Sequence, residues 1–493
     1  MKNLIIKTHN YLAMIPVLTF LLLATGLIVR NFLLAHVPFY DWDEAIYTQV
    51  ASEMLHHHSI ITTYNGALWL EKPPLVFALL ATVFAVFGES EFWARFLIVI
   101  ATLFLLYLLY RLAKKTLNHL YPTQLHKLRA WQREIIYLLP IFVTATTTQF
   151  LDRSALVNVD VFLAVSWLGY FLFQDSFWKK LIFLFVGVMS KSLLGFYPFL
   201  FELFLIRKSS FTKQNVWKTI ALLCVPLIWH LFAYTKFGSL FIQVHFLDHM
   251  LRRLTDPIEL HFGNKYFFAD LLWQNFTVFL LIIGVGAAFV LFDLVKRNTK
   301  LLKDRTRLWD YLVLLSPLPF LVLLTFGKSK LSWYLFPVLP ILSLFIPYVL
   351  LKIKYKVLQQ GVIFLIVGFS LYQFSSQMFF IKPSGSSEKV VLANCLSKLP
   401  QKKIAFLVDE DERKIQNVLE ASHLAISTSF NYGGTPSFVY YAKKPVHFYY
   451  SIQKFNAEKA AYPLVVIAKK DLPTIQVSGV QNCVTQTWVS FVQ

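Results

Sequence analysis

Cysteine is almost missing from this chain. Its three residues are Cys224, Cys395 and Cys483, with no CxxC pair and no Cys/His spacing suited to a metal. A cysteine-built metal centre is therefore excluded. Acidic residues are also scarce: 27 Asp and Glu face 47 Lys and Arg, a formal net charge of +20. On a soluble domain that excess would point to nucleic acid. Here the basic residues cluster between apolar runs, as in cytoplasmic loops, so no nucleic-acid partner is expected. The first apolar run lacks a small-residue cleavage site and reads as a retained signal anchor. No internal repeat is visible.

What the chain has in excess is apolar surface. It is 57% hydrophobic, with a mean hydropathy of +0.56, more than a soluble protein of 493 residues can cover. The long runs are Tyr11–Val29, Phe96–Leu109, Leu272–Leu294, Tyr311–Phe326, Leu335–Leu351 and Val362–Phe380. Most reach or approach the roughly 20 residues that cross hydrocarbon as a helix.

Loop charge orients the spans. Lys2 and Lys7 place the N-terminus in the cytoplasm, and residues 36–74 outside. Leu75–Phe87 is too short for a confident span. An interfacial or re-entrant placement keeps Arg111, Lys114, Lys115, Lys127, Arg129 and Arg133 inside. By the same test, Leu181–Ile206 splits into two short spans that turn at Ser190–Lys191–Ser192. This keeps Arg207, Lys208, Lys213 and Lys218 inside and puts Lys191 at the outer surface. Lys296 to Arg307 and Lys352 to Lys356 fall inside, and 236–270 and Gly327–Lys330 outside. The expectation is about eleven spans in residues 1–380, with the C-terminus outside.

From about Ile381 the composition turns polar. The runs from Lys403 and Tyr462 read as buried strands and Asp411–Ala421 as a helix, giving a small α/β domain over 381–493. Cys395 and Cys483 share that domain, where they can pair or stay apart.

The unusual polar residues then collect on one side of the membrane. Asp43 and Glu44 open an amphipathic helix whose apolar face includes Ala45, Tyr47, Val50, Ala51, Met54 and Leu55. Asp41, Asp43 and Glu44 also suit helix capping. The loop goes on to Glu71-Lys72-Pro73-Pro74. Asp152, Arg153 and Asp160, then Lys191, then His249, Arg252, Arg253 and His261, then Lys328, Lys330 and Tyr334 come from later loops. Each alone fits interfacial anchoring. Together, ionisable groups at a bilayer surface point to function. Cations suit a phosphate leaving group, and a carboxylate suits a general base.

Asp43-Glu44-Ala45 with Tyr47, then Tyr64-Asn65-Gly66, then Glu71-Lys72-Pro73-Pro74-Leu75 resemble the first-loop signature of the bacterial lipid A aminoarabinose transferase and dolichyl-phosphate-mannose–protein mannosyltransferase-like family. Lys191-Ser192 resembles that family's Lys-Gly turn, with Ser in place of Gly. Gly327 to Pro340, with Lys330, Tyr334, Pro337 and Pro340, resembles its Lys-x-x-x-Tyr-x-x-Pro-x-x-Pro run. The resemblance covers about residues 10–350. It implies an α-helical polytopic GT-C fold and an inverting glycosyltransferase of the bacterial cytoplasmic membrane. The donor it implies is a polyprenyl-phosphate-linked sugar, undecaprenyl phosphate being the carrier. The acceptor is an envelope lipid, glycan or protein. It carries catalysis onto Asp43, with Glu44 and Asp160, and substrate binding onto Tyr47, Glu71, Lys72, Lys191, Arg252, His261, Lys330 and Tyr334. No cofactor is required, and a divalent cation stays open. The competing classes are a transporter or flippase, for which repeats and midplane charges are missing, and a non-catalytic scaffold, which leaves the first-loop motif unexplained.

Overall fold

The computed structural model describes residues 2–205, 212–296, 304–381 and 387–493, with side chains from residue 14 onward in the first helix and from 388 in the last segment. The side chains of Lys2 and Lys7, residues Arg207 and Lys208, and residues 297–303 of the Lys296–Arg307 loop lie outside the described residues.

Among the described residues, eight helical stretches are long and apolar enough to cross a bilayer, while Leu75–Phe87 and Asp160–Leu172 are apolar but shorter. The expected count of about eleven and this eight differ for physical reasons. Asp160–Leu172 is buried at all 13 positions, so it runs inside the bundle with protein rather than lipid around it. Ala130–Ala145 has only 16 residues. The stretch Phe177–Leu205 is one of the eight, yet it folds back on itself. Its helix Phe177–Lys191 breaks at Ser192, where φ is 53°, and the chain returns as a tighter helix, Ser192–Leu205. A methyl group placed on Gly195 would sit 2.2 Å from the Val188 nitrogen. Only glycine permits so close a crossing of the two arms. The turn expected from loop charge is therefore present.

The ends of the membrane part are tied by capping. Arg30 of the first helix, Lys2–Leu34, donates from Nη1 to the carbonyls of Gln377, Met378 and Phe380 at 3.2, 2.6 and 3.0 Å. These carbonyls lie at and just beyond the end of the helix Lys356–Met378, where the last carbonyls lack intrahelical donors.

The first loop carries the helix Asp43–His56 and a hairpin of β1 (Thr63–Tyr64) and β2 (Ala67–Leu68). Its two-residue turn is Asn65-Gly66, with φ of 53° and 74°, the pairing that suits a tight hairpin. The C-terminal sheet contains β3 (Ile404–Leu407), β4 (Val446–Tyr449), β5 (Leu464–Ala468), β6 (Val480–Val484) and β7 (Trp488–Val492). Their order is β4-β3-β5-β7-β6, parallel at β3 with β4 and β5 and antiparallel at β7. Strand β3 is buried along its whole length, as is β5, which is what a central strand covered on both faces requires. A disulfide joins Cys395 in the helix Ser387–Ser397 to Cys483 in β6, with a Cα–Cα distance of 6.0 Å.

The hairpin docks onto this sheet domain. Asn65 donates to the Val446 carbonyl at 2.6 Å and accepts from its N–H at 2.9 Å. Trp69 Nε1 donates to the Tyr432 hydroxyl at 2.9 Å, and the Ser437 N–H donates to Asp41 at 2.9 Å.

Candidate active site

A cavity of about 740 Å³ opens where the first loop, the Ser192 turn, the 242–261 loop and the C-terminal domain meet. Asp43 projects into it from the first turn of its helix, and its side chain is 28% exposed. Lys72 Nζ lies 3.7 Å from Asp43 Oδ1, and Arg153 Nη1 lies 3.7 Å from Oδ2. The Tyr47 hydroxyl, one helical turn on, donates to Asp43 Oδ1 at 2.9 Å. Lys72 in turn donates to the Tyr47 hydroxyl.

The same Arg153 nitrogen is 4.0 Å from Asp160 Oδ2, and Lys191 pairs with Asp160 Oδ1. Lys72, Asp43, Arg153, Asp160 and Lys191 thus form a ladder of alternating sign. Three cations against two carboxylates leave a positive surplus. Aromatic faces flank it: Trp333 is 4.5 Å from the Arg153 guanidinium and Tyr334 is 5.1 Å from the Lys191 ammonium. Burial pushes the Asp43 carboxyl up, but Lys72 and Arg153 outweigh it and hold the group below the usual carboxylate range. Burial lowers the Lys72 ammonium, and Asp43 only partly restores it.

Glu44 lies beside the cavity, but its carboxylate is fully occupied. Arg95, wholly buried, donates to it from Nε at 2.9 Å and Nη2 at 2.7 Å. The N–H groups of Tyr40 and Val157 add bonds of 2.9 and 3.0 Å. Glu71 is also largely engaged. It accepts from Thr428 Oγ1 at 2.5 Å and from the Tyr432 hydroxyl, and His249 Nε2 lies 3.4 Å away. Burial raises the Glu71 carboxyl, and His249, Thr428 and Tyr432 bring it below its ordinary value.

The remaining expected residues divide. His261 lines the cavity and rests its Nδ1 on the Ile258 carbonyl at 2.9 Å. Arg252 points away: it bonds Asp248 at 3.1 Å and the Ala425 carbonyl at 3.1 Å. Its neighbour Arg253 faces the cavity and pairs with Glu259 at 2.7 Å. Lys330 is directed at the carbonyls of Leu324 and Thr325, at 2.9 and 2.7 Å, where it caps the helix Pro317–Phe326.

Ser192 explains why a residue other than glycine holds the strained turn. Its hydroxyl sits between His245 Nε2 at 2.8 Å and His230 Nε2 at 3.0 Å, while His245 Nδ1 faces the Leu70 carbonyl at 2.9 Å. A carbonyl only accepts, so His245 carries its proton on Nδ1 and takes the Ser192 proton at Nε2. Burial pushes His245 down to about 3, which keeps it neutral. The turn bearing Lys191 is thereby fastened to the segment bearing Lys72. Among the described residues, no group of three His, Cys, Asp or Glu is arranged to hold a metal.

No protein-family model matches the chain. An uncharacterized protein of Aquifex aeolicus (strain VF5) is 24% identical over 327 residues, 65% of this chain and 70% of that protein. The crystal structure of ArnT from Cupriavidus metallidurans bound to undecaprenyl phosphate matches with a TM-score of 0.63 at 12% identity, over 96% of this chain and 97% of that one. The apo structure of the same ArnT matches with a TM-score of 0.63 at 12% identity, over 97% and 98%. The fold is that of ArnT. The GT-C architecture implied by the first-loop motif is the one adopted, and the chain is a multi-pass membrane protein with a small sheet domain at its C-terminus.

Within this ArnT fold, sequence reasoning missed His245, Ser192's role, Tyr432 and Thr428. His249 was legible as a histidine of the 236–270 loop, but no spacing tied it to Glu71, and none tied His245 to Ser192. Tyr432 and Thr428 belong to a segment that the resemblance does not cover.

Proposed function

We propose that the chain is a membrane glycosyltransferase that moves a sugar from a polyprenyl-phosphate carrier to an envelope acceptor by one inverting displacement. The ladder of Lys72, Asp43, Arg153, Asp160 and Lys191 at the cavity carries this reading. ArnT, whose fold the chain shares, has been crystallised with undecaprenyl phosphate. The same class of carrier suits this chain, because a phosphate leaving group needs fixed cations where its charge develops.

In the reaction, an acceptor oxygen or nitrogen attacks the anomeric carbon and the bond from that carbon to the phosphate oxygen breaks. The acceptor's proton passes to a carboxylate, and the bond electrons leave with the polyprenyl phosphate. Asp43 suits the base. It is ionised and open to the cavity, with Lys72 and Arg153 on its two oxygens. Asp160 is 1% exposed and clamped by Lys191, so it suits charge balance better. Lys191, Arg153 and Arg253 suit the phosphate, and Tyr47 orients Asp43. Glu44 and Glu71 fix the frame, Glu44 through Arg95 and Glu71 through the C-terminal domain. Lys330 and Arg252 hold backbone carbonyls.

The cavity faces outward from a bacterial cytoplasmic membrane in this reading, and residues 381–493 form a separate extracytoplasmic domain over it. The Cys395–Cys483 disulfide supports an oxidising compartment. Cys224 is the free cysteine among the described residues. With Cys224→Ser as background, Lys414→Cys should react with a membrane-impermeant maleimide on intact spheroplasts. Reaction only after lysis would place the domain in the cytoplasm.

The functional test is binding and turnover. The purified chain in lipid nanodiscs should bind undecaprenyl phosphate, and Lys191→Ala and Arg153→Ala should weaken that binding. Mass spectrometry of envelope lipids and glycans from cells with and without the chain should show one sugar modification lost. An unchanged envelope together with no undecaprenyl phosphate binding would overturn the proposal.

A further inference from the structure

The cavity's two sides differ in charge. The first loop, the end of the helix Thr148–Arg153, the Ser192 turn and the 242–261 loop supply Lys72, Arg153, Lys191 and Arg253, beside carboxylates such as Asp43, Glu44, Asp160 and Glu259 that are already paired with cations. The C-terminal domain contributes one face of the helix Glu410–Ala421 to the cavity wall. Glu412, Ile415, Gln416 and Leu419 line the cavity, at the i, i+3, i+4, i+7 spacing of a single helical face. The helix's own cations turn elsewhere. Arg413 pairs with Asp471 at 3.1 Å, and Lys414 with Glu410 at 2.7 Å. In a chain with 47 Lys and Arg against 27 Asp and Glu, a cavity wall without a cation is a directed feature.

The wall carries an unpaired acid. No hydrogen bond or ion pair engages the Glu412 carboxylate among the described residues, whereas its neighbour Asp409 is held by Lys389 at 3.4 Å. Burial, then Asp409, raises the Glu412 carboxyl above its ordinary value, Lys389 opposes this, and Asp41 adds to it. Gly434 makes the space. Its φ is 69°, and a methyl group there would meet the Glu412 carboxyl carbon at 2.5 Å.

Sharing the cavity with this helix is Trp42, the residue just before Asp43. Its backbone is held at φ 71°, costly for a bulky residue. Even so its side chain is 47% exposed and lines the cavity. The Tyr432 ring sits edge-on to it at 6.2 Å. An exposed indole, a free carboxylate and the Gln416 amide are groups that stack on sugar C–H faces and accept or donate to hydroxyls.

We infer that the side of the cavity between Trp42 and the Glu412 face of this helix is an acceptor subsite for an uncharged, hydroxyl-bearing group of saccharide type. This rests on reading the cavity as a glycosyl-transfer site. An acceptor held there presents its nucleophile next to Asp43, while the donor phosphate keeps to the cationic side. A phosphorylated acceptor is repelled by Glu412 and Asp41.

The test uses the full chain in nanodiscs and saturation-transfer NMR. The probes are one neutral tetrasaccharide, its free-amine form and its phosphorylated form. The neutral probe should bind best. Trp42→Ala should weaken it about tenfold, with Trp42→Phe retaining most of the binding. Glu412→Lys should weaken the neutral probe and strengthen the phosphorylated one, and thermal melts check that each variant is folded. Best binding of the phosphorylated probe to the unmodified chain overturns the inference, as does best binding of the amine probe. So does an absence of saccharide binding, or binding indifferent to both positions. Undecaprenyl phosphate titrated separately reads the cationic side. Its failure to bind, with saccharide binding intact, would sink the proposed donor and leave this subsite standing.

Discussion

Replacing Asp43 by Asn separates the two jobs that its position combines. The substitution keeps the side chain's shape and its contact with the Tyr47 hydroxyl, now 2.9 Å from the carboxylate. It removes a base and also a negative charge. Loss of the base should lower turnover by about a hundredfold to ten-thousandfold, roughly 3–5 kcal/mol of barrier. Loss of the charge acts the other way on phosphate binding. The ladder's net charge rises from +1 to +2, since Lys72 and Arg153, each 3.7 Å from Asp43, lose that carboxylate, and Arg153 keeps only Asp160 at 4.0 Å. A unit charge a few ångströms away is worth at least ~1 kcal/mol, so undecaprenyl phosphate should bind about fivefold tighter. Titration of the carrier in nanodiscs reads the affinity, and mass spectrometry of envelope products reads the turnover. The opposed changes are the signature. Normal turnover, or affinity and turnover falling together with the melting temperature, would refute the reasoning and leave Asp43 as a packing counter-ion.

Three further outcomes follow from the contacts. Glu44→Gln should lower stability by about 3–5 kcal/mol, because the wholly buried Arg95 is left without its counter-charge; loss of turnover with an unchanged melting temperature would instead make Glu44 a chemical participant. Lys330→Ala should lower the melting temperature without weakening undecaprenyl phosphate binding, whereas Lys191→Ala should weaken binding, since only Lys191 lines the cavity; equal losses of affinity would contradict the assignment. Glu71's carboxyl is depressed in the fold below its ordinary 4.5, so its stabilising bonds are fully present above pH 4.5 and are lost as pH falls through the depressed value; limited proteolysis should find the C-terminal domain loosening there, and Glu71→Gln should remove that acid dependence.

The membrane architecture was legible because its determinants are local in sequence. A bilayer demands long apolar runs, and the charge of the flanking loops suggested where one run turns back. The turn at Ser192 came from that charge test alone, and the crossing of Gly195 over Val188 bears it out. The helix expected at Asp411–Ala421 runs Glu410–Ala421, and the strands expected from Lys403 and Tyr462 are Ile404–Leu407 and Leu464–Ala468. The edge strand β6 and its neighbour β7 went unread. Strand β6 is mostly exposed, and its polar, mixed pattern carries little period-2 signal.

The site was legible in which short motifs matter and illegible in what each residue within them does. Three adjacent pairs show why. Asp43 opens onto the cavity, while Glu44, about 100° further round the helix, meets Arg95, 51 residues away in sequence. Lys72 completes the charge ladder, while Glu71 reaches Tyr432, 361 residues away. Arg253 faces the cavity, while Arg252 reaches the Ala425 carbonyl, 173 residues away. In each pair one side chain meets the site and the other fastens the backbone that aims it. Both halves are needed to hold a reactive group in place, so a sequence motif marks both with equal weight. What tells them apart is the identity of the distant partner. That partner is supplied by tertiary packing, and no local spacing encodes it. Lys330 is the limiting case: it lies in a motif with Tyr334, which lines the cavity, yet its own ammonium is taken by two helix-end carbonyls. A cation near a bilayer surface therefore counts toward phosphate binding only once the carbonyls within its reach have been shown to have other donors.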